Sequence, residues 1–166
     1  MNEFSKADKY GRDKVKDRLL SLFENNLNNV DLYYCEDDTS RSDIFVSGWS
    51  NNDKLITYCI ECKDRKFEHT KYDNDKMEDE ERGYIIEQPK KEYLITQSQY
   101  GMIPLYVNSF SDNYMAVWNL NKINWDNSGT TGEKTFETTT VKKGKLYQDN
   151  KQTLKLEQAQ WTGSIY

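Results

Sequence analysis

The chain has 166 residues, enough for one domain with a single buried core, and a formal net charge of -5. An acidic chain has no global positive field that would draw it to nucleic acid or anionic lipid, so any such binding must be local or assisted by metal ions. No apolar run approaches the ~20 residues of a membrane span, and residues 1–6 lack the apolar core of a signal peptide, so we expect an intracellular protein with no membrane partner.

The first half of the sequence predicts one helix followed by three closely spaced strands. In residues 6–26 the apolar side chains of Val15, Leu19 and Phe23 recur at four-residue steps, which form one stripe of an amphipathic helix. Short strands are expected at residues 30–34, 43–46 and 55–63. The charged run at 64–81 has no apolar periodicity and predicts a solvated loop.

The second half predicts a helix and then a hairpin. Pro89 occupies a first-turn position of a helix that runs to about Tyr100, and Gly101 is well placed to end it. The composition of residues 104–110 and 114–120 is typical of two strands joined by a tight turn. A strand, a helix and another strand in that order indicate a crossover within one mixed sheet.

Beyond residue 120 the patterning weakens. Residues 121–166 are rich in Thr, Gly and Lys and predict a peripheral C-terminal extension with one strand near 138–141. We find no internal repeat and no convincing domain boundary. The sequence therefore predicts one α/β domain over residues 1–166, with its core at about 6–120.

Two cysteines in the third predicted strand, Cys59 and Cys62, have the spacing of a CxxC motif. On a strand, successive side chains point to opposite faces, so these two thiols cannot both reach one zinc ion. The chain has three cysteines and no export signal, which indicates reduced thiols rather than a disulfide framework. We therefore interpret both cysteines as small buried hydrophobes.

The same alternation places Glu61 and Lys63 together on one face of that strand. A carboxylate and an ammonium in an apolar strand cost desolvation unless they are paired or engaged with an ion. Asp43, at the start of the preceding strand, lies beside Glu61 if the two strands form an antiparallel hairpin. Two carboxylates and a backbone carbonyl suit magnesium or manganese, while an ordinary salt bridge at a strand end is the alternative.

With its Asp on the second strand and its Glu-x-Lys on the third, this arrangement resembles the PD-(D/E)XK nuclease superfamily, which includes Holliday junction resolvases, restriction endonucleases and phage exonucleases. The resemblance spans about residues 6–120, and the segment 90–120 is also similar to the later half of small phage and bacterial members. It departs from the motif in one place, because Ser42 stands where the family has proline. The fold it implies is a restriction-endonuclease-like core, an αβββαβ arrangement with a mixed central sheet flanked by helices.

The resemblance also implies roles for individual residues. Asp43 and Glu61, with the backbone carbonyl of Cys62, would hold Mg²⁺ or Mn²⁺, and Lys63 would be the catalytic lysine. The family often adds an acid from the first helix and a polar residue from the helix after the Glu-x-Lys strand. The accessory candidates here are Asp13, Asp17, Lys90 and Gln97. For the last two, a solvated helix face is the alternative interpretation.

The activity implied is that of a Mg²⁺-dependent nuclease that hydrolyses phosphodiester bonds in DNA. A branched DNA such as a four-way junction would suit a homodimer, because two scissile strands need two sites. The sequence contains no zinc finger or helix-turn-helix, which disfavours a sequence-specific restriction enzyme. The basic clusters at 63–66 and 142–145 are candidates for contacts to backbone phosphates.

Two other interpretations stay open. The chain could be a non-catalytic nuclease-fold module that binds a protein or nucleic-acid partner, or a structural protein with an ordinary network of Asp, Glu and Lys. An abundance of Asn, Lys and Tyr hints at an AT-rich genome. We therefore expect a cytoplasmic location in a bacterial cell or a phage-infected host.

Overall fold

The structure is a computed structural model that describes residues 3–35, 42–71, 84–125, 134–142 and 145–166. Much of the predicted charged loop at 64–81 lies outside these ranges. The helices are α1 (Glu3–Glu24) and α2 (Gln88–Thr96). The strands are β1 (Asn28–Tyr34), β2 (Ile44–Trp49), β3 (Leu55–Asp64), β4 (Tyr84–Glu87), β5 (Met102–Ser109), β6 (Tyr114–Asn119), β7 (Lys134–Lys142), β8 (Lys145–Leu154) and β9 (Trp161–Ser164). In the described ranges, neither helix is long and apolar enough to cross a membrane.

Six strands form the main sheet, in the order β1-β2-β3-β5-β6-β9. β3 and β5 run parallel, while the other neighbouring pairs are antiparallel. A parallel pair needs a crossover connection, and α2 lies in the segment between β3 and β5. The predicted α/β class, the β2–β3 hairpin and the mixed sheet are therefore confirmed.

Each helix packs against a different face of this sheet. The stripe of α1, formed by Val15, Leu19 and Phe23, is buried with Ile44 and Ile60 in one apolar cluster. A second cluster contains Leu94 of α2 together with the buried side chains of Cys59, Tyr106, Phe110 and Trp118. The sheet is thus covered on both sides, which explains why its central strands are nearly continuous runs of apolar residues.

The chain beyond residue 120 supplies more of the structure than the expected peripheral extension with one strand. The strand predicted near 138–141 lies within β7, which forms a second sheet of order β4-β8-β7. β9 pairs with β6 and completes the edge of the main sheet. Leu154 and Ile165 are buried in the two apolar clusters, and the indole nitrogen of Trp118 donates to the carbonyl of Lys155 at 2.8 Å.

The beginning and end of α2 follow the sequence signals. Proline lies in its first turn, where a missing amide hydrogen costs nothing. A single 3-10 turn, Gln97–Tyr100, continues the helix to Gly101, whose φ of 79° is the left-handed conformation that glycine adopts without strain. This start fixes Lys90 in the first turn of α2.

Candidate active site

The β2–β3 hairpin places Asp43 next to β3, directly before the first residue of β2. Ile44 pairs with Ile60, so Asp43 stands one step beyond that pair, beside Glu61. The backbone amide of Asp43 donates to the carbonyl of Ile60 at 2.8 Å, and its side-chain Oδ2 accepts the amide hydrogen of Cys62 at 2.7 Å. The Asp43 carboxylate therefore continues the ladder where the paired part of β2 ends.

The two faces of β3 divide as the alternation predicts. Cys59 packs in the cluster on the α2 side, while Ile60 and Cys62 pack in the cluster on the α1 side. Burial raises the pKa of Cys59 to about 11 and that of Cys62 well above its ordinary value. Both cysteines are free thiols, on opposite faces and neutral at physiological pH, so they do not form a thiolate pair for a soft metal.

Glu61 is the buried charge of the site, with only 3% of its surface exposed. Lys90 donates to its Oε1 atom, and the Nζ atom of Lys63 lies 3.9 Å from the same oxygen. Burial raises the pKa of Glu61 to about 8, against the lowering effect of Lys90 and Lys63, and the nearby Asp43 adds to the rise. Without a further cation, this site therefore favours a protonated Glu61.

Lys90 is the accessory candidate that the structure brings into the site. Burial acts to lower the pKa of Lys90, but the charge of Glu61 and the hydrogen bond to it outweigh burial and raise the pKa. The contact with Glu61 therefore favours the charged form of Lys90, which the first turn of α2 delivers to the site. The interpretation of Lys90 as part of a solvated helix face does not fit this contact.

Gln97, the other candidate from this part of the chain, lies elsewhere. It is seven residues further along, about 10 Å in a helix, and its side-chain amide donates to the carbonyl of Tyr93 within the same helix at 3.4 Å. The structure therefore does not bring Gln97 to Glu61.

The two acids of α1 lie beside a tyrosine. Burial raises the pKa of Tyr34 to about 12, and Asp13 and Asp17 add to the rise, which places both acids near that phenol. The α1 side chain whose charge acts on Cys62 is instead Arg12, which donates to the carbonyl of Cys35 at 2.9 Å. At this edge of the sheet α1 therefore presents a cation rather than the acid that the resemblance implies.

The Cys62 carbonyl is the third oxygen group that the sequence predicted beside Asp43 and Glu61. In a strand, the N–H and C=O groups of one residue point to the same side. The amide of Cys62 donates to Asp43, so the carbonyl of Cys62 also faces the side of β3 on which Asp43 lies. The described residues include no group of three or more His, Cys, Asp and Glu side chains placed to hold a metal ion. Magnesium commonly uses one or two carboxylates and completes its shell with water and substrate phosphate, so Asp43, Glu61 and this carbonyl are the groups that could hold such an ion.

Three further polar side chains adjoin the site, and sequence reasoning missed two of them. Tyr106 and Asn108 of β5 pair with Glu61 and Lys63 of β3, respectively. Arg65, which the sequence presented only as one member of a basic cluster, donates to Asn108 Oδ1 at 2.5 Å and to the hydroxyl of Tyr106 at 3.3 Å. The register of a parallel pair formed across a long crossover has no local sequence signal, so β5 offered no reason to select these two residues.

The chain matches no protein-family model, no curated protein and no solved structure. The roles of these side chains therefore depend on their geometry and on the resemblance that the sequence itself carries.

Proposed function

We propose that this protein is a Mg²⁺-dependent nuclease of the PD-(D/E)XK type that hydrolyses phosphodiester bonds in DNA. The observation that carries the proposal is the convergence of two carboxylates, Asp43 and Glu61, with two lysines, Lys63 and Lys90, at one place on the sheet. A glutamate with 3% exposure is costly to keep in an apolar strand, and a functional site is a common reason for such a cost.

The arrangement of the elements supports the same family. α1, β1, β2 and β3 occur in that order and are followed by β4, α2 and β5; apart from β4, which belongs to the second sheet, this order agrees with the αβββαβ core that the resemblance implies. The neighbours β1-β2-β3-β5 form a continuous mixed sheet whose single parallel pair is the one formed across the crossover. Asp43 and the Glu-x-Lys residues occupy adjacent strands of this core, as the motif requires.

Each residue has a chemical role in this proposal. Asp43, Glu61 and the carbonyl of Cys62 would hold the ion, which when bound supplies a hydroxide nucleophile by lowering the pKa of a coordinated water. Lys63 orients the nucleophilic water and offsets the negative charge that develops on the phosphate. Lys90 compensates the charge of Glu61, so that a carboxylate can exist in a buried position.

DNA is the proposed substrate because of the family resemblance, which is an argument by analogy. A branched junction cut by a homodimer remains the more specific hypothesis, since each of two scissile strands would need its own site.

One observation favours the rival class, a non-catalytic module that keeps the nuclease fold. Glu61 already has a partner within the chain, because Lys90 donates a hydrogen bond to its Oε1 atom. A degenerate site would keep this pair for stability and bind a protein or nucleic-acid partner elsewhere. The two classes differ in their response to divalent cations.

The decisive experiment incubates the protein with branched, linear and single-stranded DNA in the presence of Mg²⁺, with an EDTA control. We expect cleavage that requires the ion and disappears in Asp43→Asn. Asp53→Asn is the matched control, because Asp53 is an exposed acid in the turn at the far end of the same hairpin, with a φ of 53° that asparagine also accepts. Absence of cleavage on all three substrates, with Mg²⁺ and with Mn²⁺, would contradict the nuclease proposal and favour the non-catalytic module.

A further inference from the structure

The main sheet is open to solvent over part of the side on which α2 packs. Side chains at odd-numbered positions of β2 and β3 share this side with Glu61, since Phe45 and Cys59 both pack in the α2-side cluster. At the turn end of the hairpin Trp49 pairs with Leu55, and both of these large side chains are exposed, at 44% and 52%. α2 therefore leaves this end of the face uncovered.

Tyr33 of β1 extends the same face towards the edge of the sheet. Its register partner is Phe45, so its ring lies on the α2 side, and it is 55% exposed. Its neighbours in the chain, Leu32 and Tyr34, pack instead against the α1-side cluster, as strand alternation requires. Tyr33 therefore presents an aromatic ring to solvent although the residues on either side of it are anchored.

This face leads directly to the candidate active site. Successive side chains on one face of a strand are ~7 Å apart, so the row from Glu61 to Leu55 spans about 20 Å. Tyr33 lies one step from the level of Glu61, and Trp49 lies three steps from it. Between them the hydroxyls of Ser47 and Thr57 form a hydrogen bond at 3.0 Å. A phosphodiester bound at the site would thus have two exposed rings on the same face of the sheet.

The size and charge of this face favour unpaired bases over a protein or a duplex. Its three large side chains each expose about half of their surface, on the order of 300 Å² together, whereas a stable dimer needs ~800 Å² from each partner. A duplex offers mainly phosphates, which the exposed carboxylate of Asp31 on this face repels. Unpaired bases instead stack on tyrosine and tryptophan rings, with their phosphates turned towards solvent.

We propose that Tyr33, Trp49 and Leu55 form an aromatic face that binds the bases of a single-stranded stretch of DNA leading to the active site. The inference rests on the proposed nuclease function and names the class of its substrate, DNA that is unpaired next to the scissile bond. Tyr33 stacks on the base nearest the scissile phosphate. Trp49 stacks on a base further along the strand, and Leu55 packs beside it.

The test compares the binding of single-stranded and duplex DNA. A fluorescein-labelled oligodeoxythymidylate and its duplex are titrated with protein by anisotropy, with Ca²⁺ in place of Mg²⁺. We expect Tyr33→Thr and Trp49→Thr each to weaken single-strand binding about 10-fold, the effect of one lost stack. Duplex binding and the salt dependence should not change, because neither variant removes a charge. Threonine keeps the β-branched shape that suits a strand, and urea unfolding checks that each variant is folded.

A matched control and a second readout separate stacking from a structural role. Tyr166 is also an exposed tyrosine, at 86%, but it follows β9 at the opposite edge of the sheet, so Tyr166→Ala should not change binding. A base stacked on Trp49 should quench its fluorescence. Trp49→Phe should therefore keep most of the affinity for unlabelled single strand and lose most of the quenching seen in the wild type. If a threonine variant does not fold, this quenching decides.

Several results would overturn the aromatic face. They are unchanged single-strand affinity in both threonine variants, an equal loss on the duplex, full quenching in Trp49→Phe, and no single-strand binding by the wild type. A wild-type dimer that Tyr33→Thr converts to a monomer in sedimentation equilibrium would assign the face to a second copy of the chain instead.

Failure of the nuclease proposal gives a different result. A protein that binds single strands through these rings but cleaves no DNA in Mg²⁺ keeps the aromatic face and loses the nuclease activity. A protein that cleaves DNA at the wild-type rate and binds it with the wild-type affinity in both threonine variants loses only the aromatic face.

Discussion

The carboxylate of Asp43 accepts the amide hydrogen of Cys62 at 2.7 Å, so one side chain both extends the β2–β3 ladder and faces Glu61. A structural role and the proposed catalytic role thus coincide in a single residue. The two roles use different properties of the side chain, because the ladder needs an acceptor oxygen and a metal ion needs a negative charge.

Substitution of Asp43 separates these roles. Asp43→Asn keeps an acceptor for the Cys62 amide and should retain the free energy of unfolding while it abolishes Mg²⁺-dependent cleavage. Asp43→Ala should also abolish cleavage. Because it leaves the Cys62 amide without its acceptor, it should in addition lower the free energy of unfolding by about 1–3 kcal/mol. Urea denaturation and a cleavage assay on both variants check this. Full cleavage by Asp43→Asn would show that the carboxylate does not hold a catalytic ion.

Lys63 should contribute to the chemical step rather than to binding. Its ammonium lies 3.9 Å from Glu61 Oε1, with a side chain that is 31% exposed and can reach a bound phosphate. We expect Lys63→Met to lower kcat by about 10³-fold or more with little change in KM, since stabilisation of developing charge acts in the transition state. Lys54→Met, which removes an exposed charge just before β3 at the end far from the site, is the control. An unchanged kcat in Lys63→Met would remove Lys63 from the mechanism.

The parts of the fold that the sequence predicted are those with local signals. Strand alternation placed Glu61 and Lys63 on one face and Cys62 on the other, and the short turn at 50–54 made the β2–β3 hairpin predictable. Pro89 and Gly101 marked the two ends of a helical segment, because proline is tolerated in a first turn and glycine adopts the left-handed conformation that ends a helix.

The rest depended on contacts between distant parts of the chain. Lys90 could be named only as a candidate because its approach to Glu61 depends on how α2 packs across the crossover. Tyr106 and Asn108 depend on a parallel register set by the whole sheet. β9 is a four-residue strand with a glycine, and pairing with β6 rather than its own composition makes it a strand.

The raised pKa of Glu61 predicts how stability depends on pH. Between the ordinary value of 4.5 and the folded value of about 8, the folded protein keeps a proton that the unfolded chain has released. Stability therefore falls as the pH rises through this window. Glu61→Gln has no such proton, so its stability relative to wild type should rise from pH 4.5 to 8 and stay level outside that window.

Urea titrations of wild type and Glu61→Gln at several pH values, without divalent cations, measure this difference. A difference that does not change with pH would contradict the burial of an ionisable carboxyl group at this position. Addition of Mn²⁺ at pH 8 should stabilise the wild type and leave Glu61→Gln nearly unchanged, because an ion that needs the carboxylate binds only the folded, deprotonated form.

Lys14 and Lys66 contact the same carboxylate, that of Asp64, in different surroundings. Lys14 lies 3.4 Å from Oδ1 with 9% exposure and also donates to the carbonyl of Phe110 at 2.5 Å, while Lys66 lies 2.6 Å from Oδ2 with 75% exposure. Lys14→Met removes a buried partner and should cost about 3 kcal/mol of unfolding free energy, whereas Lys66→Met should cost no more than about 0.5 kcal/mol. Denaturant unfolding of the two variants makes the comparison. Equal costs would mean that the attachment of α1 to the end of β3 does not depend on this buried pair.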